Sequence, residues 1–134
     1  MTTLWRATAD GYTGQWSCWS RDRSVALAYT DNPGYGGASL VRVEADPEHV
    51  LDLRKGADML TLAEAIADEP EAHGATVHDI LDGWRARGYG WSYEVWEGDE
   101  SIRALLPQLY DWIVYLDTYP DGAETWCYLG SGTL

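Results

Sequence analysis

Hydrophobic and polar positions alternate at both ends of this chain and repeat at helical spacing in the middle. Thr3 to Ala9 reads as a strand, with Leu4, Arg6 and Thr8 on one face and Trp5 and Ala7 on the other. Asp10 to Gly14 carries turn residues, and Gln15 to Ser20 reads as a second strand in which Trp16, Cys18 and Ser20 share a face. Ser20 is placed to cap a helix from about Asp22 to Thr30, with Val25, Ala28 and Tyr29 as its stripe. Asp31 to Gly37 is the strongest loop signal.

Ala38 to Ala45 alternates as a strand, Asp46-Pro47 turns the chain, and Val50-Leu51-Asp52-Leu53 is a short extended piece. Two helices follow. One spans Ala57 to Asp68, with Leu60, Ala63 and Ala67 at helical spacing. The other runs from Thr76 to about Arg87, with Val77, Ile80, Leu81 and Trp84 on its apolar face. Trp91 to Trp96 reads as either extended or irregular. Asp99 and Ser101 mark the cap of a helix through Leu109. Trp112 to Leu116 and Glu124 to Leu129 are strands around a Tyr119–Gly122 turn, which predicts a hairpin. Strands, helix, strand, helices and strands in that order predict one α+β domain over residues 1–134, without a regular βαβ repeat.

Composition narrows the function classes. The aromatic set is eight Trp and nine Tyr with no Phe, so every ring carries a polar atom suited to pocket walls as well as cores. A net charge of −13 disfavours nucleic acid and anionic membrane surfaces, and leaves either solubility or attraction to a basic protein as its role. No apolar run approaches spanning length and no secretory leader pattern opens the chain, so a cytoplasmic location is the default expectation. Cys18 and Cys127 stand in apolar patterns and read as buried free thiols.

Several chemistries lack their motifs. His49, His73 and His78 have no metal-ligand spacing, so no metal is expected. Gly34 to Gly37 precedes a strand and opens no helix, unlike a phosphate-cradling loop. No Gly-x-Ser-x-Gly elbow occurs. Three polar features remain: Arg6 in mid-strand, Ser17 and Ser20 beside Trp16 and Trp19, and Glu124 at the opening of the last strand. Each has a plain alternative: a surface Arg, helix capping and edge polarity, and a solvated strand end.

Taken together, Leu4-Trp5-Arg6-Ala7, Trp19-Ser20-Arg21-Asp22 with Ala26 and Tyr29, Val50-Leu51-Asp52-Leu53, and Asp111 to Tyr115 followed by Ala123-Glu124-Thr125-Trp126 resemble the ADP-ribosyltransferase superfamily. The resemblance covers the first 53 and last 24 residues. It departs from the family pattern at Ser17-Cys18-Trp19-Ser20, where either serine fills the motif, and at Gly122, where arginine-modifying members carry an acidic residue or Gln. It implies split antiparallel sheets around a cleft that takes NAD, with helices between. Arg6 would anchor a phosphate or ribose, Ser17 or Ser20 the nicotinamide-side ribose, and Tyr29, Trp19 or Tyr35 the rings, with Gly34–Gly37 as cover. Glu124 would stabilise the oxocarbenium-like state while ADP-ribose passes to a protein acceptor or water. The alternative is an inactive acidic binding or inhibitor protein, of mimic or toxin/immunity type, directed at a basic partner.

Overall fold

The structure is a computed structural model that describes residues 1–30, 38–88, 95–117 and 122–134. The expected Gly34–Gly37 cover, Tyr35, the Trp91–Glu94 stretch and most of the Tyr119–Gly122 turn lie outside the described residues.

Strand β1 (Thr2–Thr8) pairs antiparallel with β3 (Ser39–Ala45) as a two-stranded sheet. A second sheet has the order β2 (Cys18–Trp19), β6 (Glu124–Tyr128), β5 (Trp112–Leu116), β4 (Val50–Asp52). The β5–β6 hairpin pairs Leu116 with Glu124 and Trp112 with Tyr128. The helices are α1 (Arg23–Thr30), α2 (Gly56–Ala67), α3 (Val77–Ala86) and α4 (Glu100–Leu109). The domain is therefore α+β with two sheets. One pair departs from the antiparallel expectation: β4 runs parallel to β5, because the chain between them passes through three helices and returns in the same direction.

Among the described residues one backbone bridge joins the two sheets. Trp5 and Ser20 exchange backbone hydrogen bonds, each 2.8 Å, linking β1 to the end of β2. β2 is shorter than the alternation predicted. Gly14 to Ser17 forms a turn instead, with Ser17 N–H donating to the Gly14 carbonyl at 3.0 Å. Asp22, rather than Ser20, caps α1 by accepting from the Ser24 N–H at 2.9 Å; Ser20 Oγ accepts from the Asp22 N–H.

β5 explains its own composition. Residues 112–115 are all buried because both faces of the larger sheet are covered. On one face Ile113 and Tyr115 pack with Leu51, Leu53, Leu62, Trp84, Leu106 and Cys127 beneath the helices. On the other, Trp112 packs with Leu4 and Trp19, flanked by Val41, Val43 and Trp126 from both sheets. Helix α2 buries Met59, Leu62 and Ala63, while the predicted Leu60 is 43% exposed, a rotation of the stripe by about one position. Helix α3 turns the expected face to the core, with Trp84 buried and Val77, Ile80 and Leu81 partly buried, and begins with a capping box: Thr76 Oγ1 accepts from Asp79 N–H, and Asp79 accepts from Thr76 N–H. Thr76→Ala is expected to destabilise the fold by about 1 kcal/mol, measured by urea unfolding; an unchanged midpoint would contradict the box. Among the described residues no helix is long and apolar enough to cross a membrane.

Candidate functional site

The point where the sheets meet opens into a cavity of about 90 Å³ between β1, the end of β2, α1 and the far end of the hairpin. Trp5, Ala7, Val25 and Ala26 give it apolar walls, and Arg6, Ser20, Tyr29, Asp117 and Thr125 give it polar atoms. At about 90 Å³ it is smaller than the roughly 150 Å³ cavity that encloses a benzene ring, so a larger ligand would enter it only in part.

Arg6, Ser20, Tyr29 and Trp19, four of the residues singled out in the sequence, line this one cavity. Arg6 lies along its wall between Trp5 and Ala7 of β1. The Arg6 guanidinium donates through Nε to the Tyr12 carbonyl at 2.9 Å and through Nη1 to the Cys18 carbonyl at 3.2 Å. Those bonds hold the Asp10–Gly14 turn against β2, and they engage two of the five guanidinium N–H groups. Tyr29 reaches in from α1, with its hydroxyl 3.4 Å from Asp117 Oδ2.

Trp19 and Ser17 hold different places from those expected. Trp19 is 2% exposed, and its indole N–H donates to Ser17 Oγ at 2.8 Å inside the core. Its ring is a wall and cannot lie over a ligand face. Ser17 is fully buried as the acceptor for that indole and is not among the residues lining the cavity. Of the two serines only Ser20 reaches it, which the sequence left open.

Glu124 neighbours Thr125 on β6 but points the other way, since successive residues of a strand face opposite sides. It sits in a clamp. Arg21 grips it with Nε to Oε1 at 2.5 Å and Nη2 to Oε2 at 2.7 Å. Arg54 Nη1 donates to Oε2 at 2.5 Å and Trp126 Nε1 to Oε1 at 2.7 Å. Arg54 in turn is held in a fork by Asp52, at 2.8 and 2.7 Å. Burial by itself would raise the Glu124 carboxyl, but the hydrogen bonds from Arg21, Trp126 and Arg54 outweigh it and hold it at about 2. A carboxylate offers about four lone-pair positions, and four donors occupy them here. Two carboxylates and two guanidiniums make the cluster neutral. Sequence reasoning missed Arg21 and Arg54 as partners; the Asp52-x-Arg54 spacing was the one local signal, because it lets a side chain reach back two residues.

A larger hollow of about 410 Å³ lies among the helices, lined by Glu69, Asp79, Trp84 and Asp99 among others. Asp79 and Asp99 are spent there on capping α3 and α4. Among the described residues no cluster of side chains is arranged to hold a metal ion.

Comparison of the chain with family models, with curated proteins and with solved structures finds no match, so the reading of this site rests on its own geometry.

Proposed function

We propose that the cavity at the sheet junction binds the nicotinamide–ribose end of NAD, in a protein of ADP-ribosyltransferase type that modifies a protein acceptor. The observation that carries this reading is the convergence of Arg6, Ser20 and Tyr29, from three separate stretches of the chain, on one cavity. Arg6 and Ser20 supply donors for ribose oxygens or a phosphate, and Tyr29 an aromatic face and a hydroxyl. The rest of the dinucleotide would extend over the surface toward Arg21, whose side chain is 53% exposed.

Glu124 enters the chemistry only if a donor leaves it. The diphosphate of NAD is an anion able to draw the exposed Arg21 away, but Glu124 faces the other side of β6 from the cavity, so its Oε1 would meet a ribose 2′-hydroxyl only in a ligand that reaches around the sheet edge. Asp117 is the carboxylate that lines the cavity itself.

Calorimetry with NAD tests the reading. Wild type is expected to bind, and Arg6→Ala to weaken binding at least about tenfold. Arg6→Lys keeps the charge without the fork and should fall between them if the fold is intact. A wild-type protein that shows no heat with NAD overturns the proposal. Nicotinamide release lost in Asp117→Asn but kept in Glu124→Gln would move the catalytic role to Asp117.

The saturated clamp on Glu124, together with the net charge of −13, favours a second reading: a binding protein that covers a basic surface without turnover. That protein would associate with a cationic partner in a salt-sensitive way and without NAD.

A further inference from the structure

On the opposite side of β2 from the Trp19 core lies a second cavity, about 320 Å³, lined by Trp16, Cys18, Trp96, Arg103, Tyr115 and Cys127 among others. Both cysteines of the chain meet there, although 109 positions separate them in sequence. Cys18 of β2 stands directly opposite Cys127 of β6 in the antiparallel register. The neighbouring pair, Ser17 and Tyr128, is joined by the Tyr128 N–H to Ser17 carbonyl bond at 2.9 Å. Hydrogen-bonded and non-hydrogen-bonded pairs alternate along such a ladder, so Cys18 and Cys127 occupy a non-hydrogen-bonded position. The Cα atoms of such a pair are about 4.5 Å apart, inside the span that a disulfide bridges.

The surroundings favour reaction over inert packing. Cys18 is partly exposed at the cavity wall, while Cys127 is 2% exposed behind it. Cys18 Sγ lies 3.4 Å from the Tyr115 hydroxyl. The hydrogen bond from Cys127, then that from Tyr115 and the charge of Arg6, lower the Cys18 thiol against the effect of burial; Cys127 is raised by the same pairing and by its burial. Asp117 opposes the lowering at Cys18, and Arg103 faces Cys127 from α4.

Trp16 is built into the same cavity at a backbone cost. Its φ is +69°, in the region that disfavours residues with a Cβ. It is the extra residue of a bulge, since Trp16 N–H donates to the Tyr128 carbonyl while Tyr128 N–H returns to Ser17. The bulge turns the Trp16 indole toward Trp96, with ring centroids 6.2 Å apart, and under the Arg103 guanidinium, 4.0 Å above its ring.

We propose that Cys18 and Cys127 are a reversible dithiol–disulfide site, opened and closed by exchange with a small disulfide that enters through this cavity. Cys18 is the attacking sulfur. Its thiolate attacks one sulfur of a small-molecule disulfide RSSR, and the first RS⁻ leaves and takes up the proton that Cys18 gave. Cys127 then loses its proton and attacks Cys18 Sγ. The S–S bond to R breaks, and the second RS⁻ departs with that proton. Two protein thiols are oxidised to one disulfide and RSSR is reduced to two RSH.

The test uses the full chain with glutathione disulfide as the probe, followed by intact-mass measurement and thiol alkylation under native conditions. Wild type is expected to lose two hydrogens as a monomer, to become resistant to alkylation at both positions together, and to recover both thiols with dithiothreitol. Cys127→Ser is expected to stop at a glutathione adduct on Cys18. Cys18→Ser should take up no glutathione, and wild-type Cys18 should alkylate at least about tenfold faster than Cys127. Wild type that accumulates only the Cys18 adduct, or only disulfide-linked dimers, overturns the proposal, as does an oxidant-treated chain whose two thiols remain titratable.

Discussion

Trp19→Ala is expected to destabilise the domain by about 3–5 kcal/mol, the largest loss for any single change considered. Trp19 fills the space between the two sheets with Leu4 and Trp112, each at most 4% exposed. Among the described residues the Trp5–Ser20 bridge is the backbone link between the sheets, so side-chain packing, the indole included, closes the joint. Ser17→Ala shows the polar half of the same contact. It leaves the buried indole N–H without its acceptor and is expected to cost about 1–3 kcal/mol. Urea unfolding of both variants checks these values. Equilibrium NAD binding then separates the serines: Ser17→Ala should lower stability and leave NAD affinity unchanged, while Ser20→Ala should weaken NAD binding. Weakened NAD binding in a folded Ser17→Ala would contradict the purely structural place given to Ser17.

The acid limb of the stability curve belongs in good part to Glu124. Its carboxyl is near 4.3 in an unfolded chain and about 2 in the folded one. A group lowered on folding contributes fully above its unfolded value and loses that contribution as the pH falls through its folded value. The window is therefore from about pH 4.3 down to about 2. The contribution is roughly 1–3 kcal/mol once solvent screening at the half-exposed Arg21 is allowed for. Glu124→Gln places amide hydrogens against the donors of Arg21 and Arg54, so a loss of about 2 kcal/mol at neutral pH is expected. The variant should also show a shallower fall in stability between pH 4 and 2 than wild type. Parallel acid limbs in the two proteins would remove Glu124 from this role. The same variant bears on catalysis, because a carboxylate clamped by two guanidiniums presents little net charge to a substrate until one of them moves.

The two cavities share β2. Cys18 lines both, and its carbonyl accepts from Arg6 of the first while its sulfur faces the second. A disulfide at Cys18 would draw β2 toward β6 directly behind Arg6, so NAD affinity measured before and after oxidation reads whether the two sites are coupled.

The sequence by itself determined most of the elements and their type, with β2 the main exception. Trp112 to Leu116 read as a strand on its β-branched Ile113 and Val114, and α3 carried its apolar stripe and its start at Thr76 in plain order. It also singled out Arg6, Ser20 and Tyr29, through their polar or aromatic place in short motifs whose order resembles a known family. What lay beyond it were relations between distant segments. The parallel return of β4 beside β5 depends on how three helices stack. The grip of Arg21 and Arg54 on Glu124 joins positions 103 and 70 residues away from it, and which face of β6 Glu124 takes depends on the register of the hairpin. Cys18 and Cys127 read as two unconnected thiols in the sequence, and the pairing of β2 with β6 set them opposite each other. Local patterns reflect what each residue needs from its own backbone. Only the packed chain decides which charges and sulfurs are brought together, because that choice is made by the burial of surfaces that no short stretch of sequence contains.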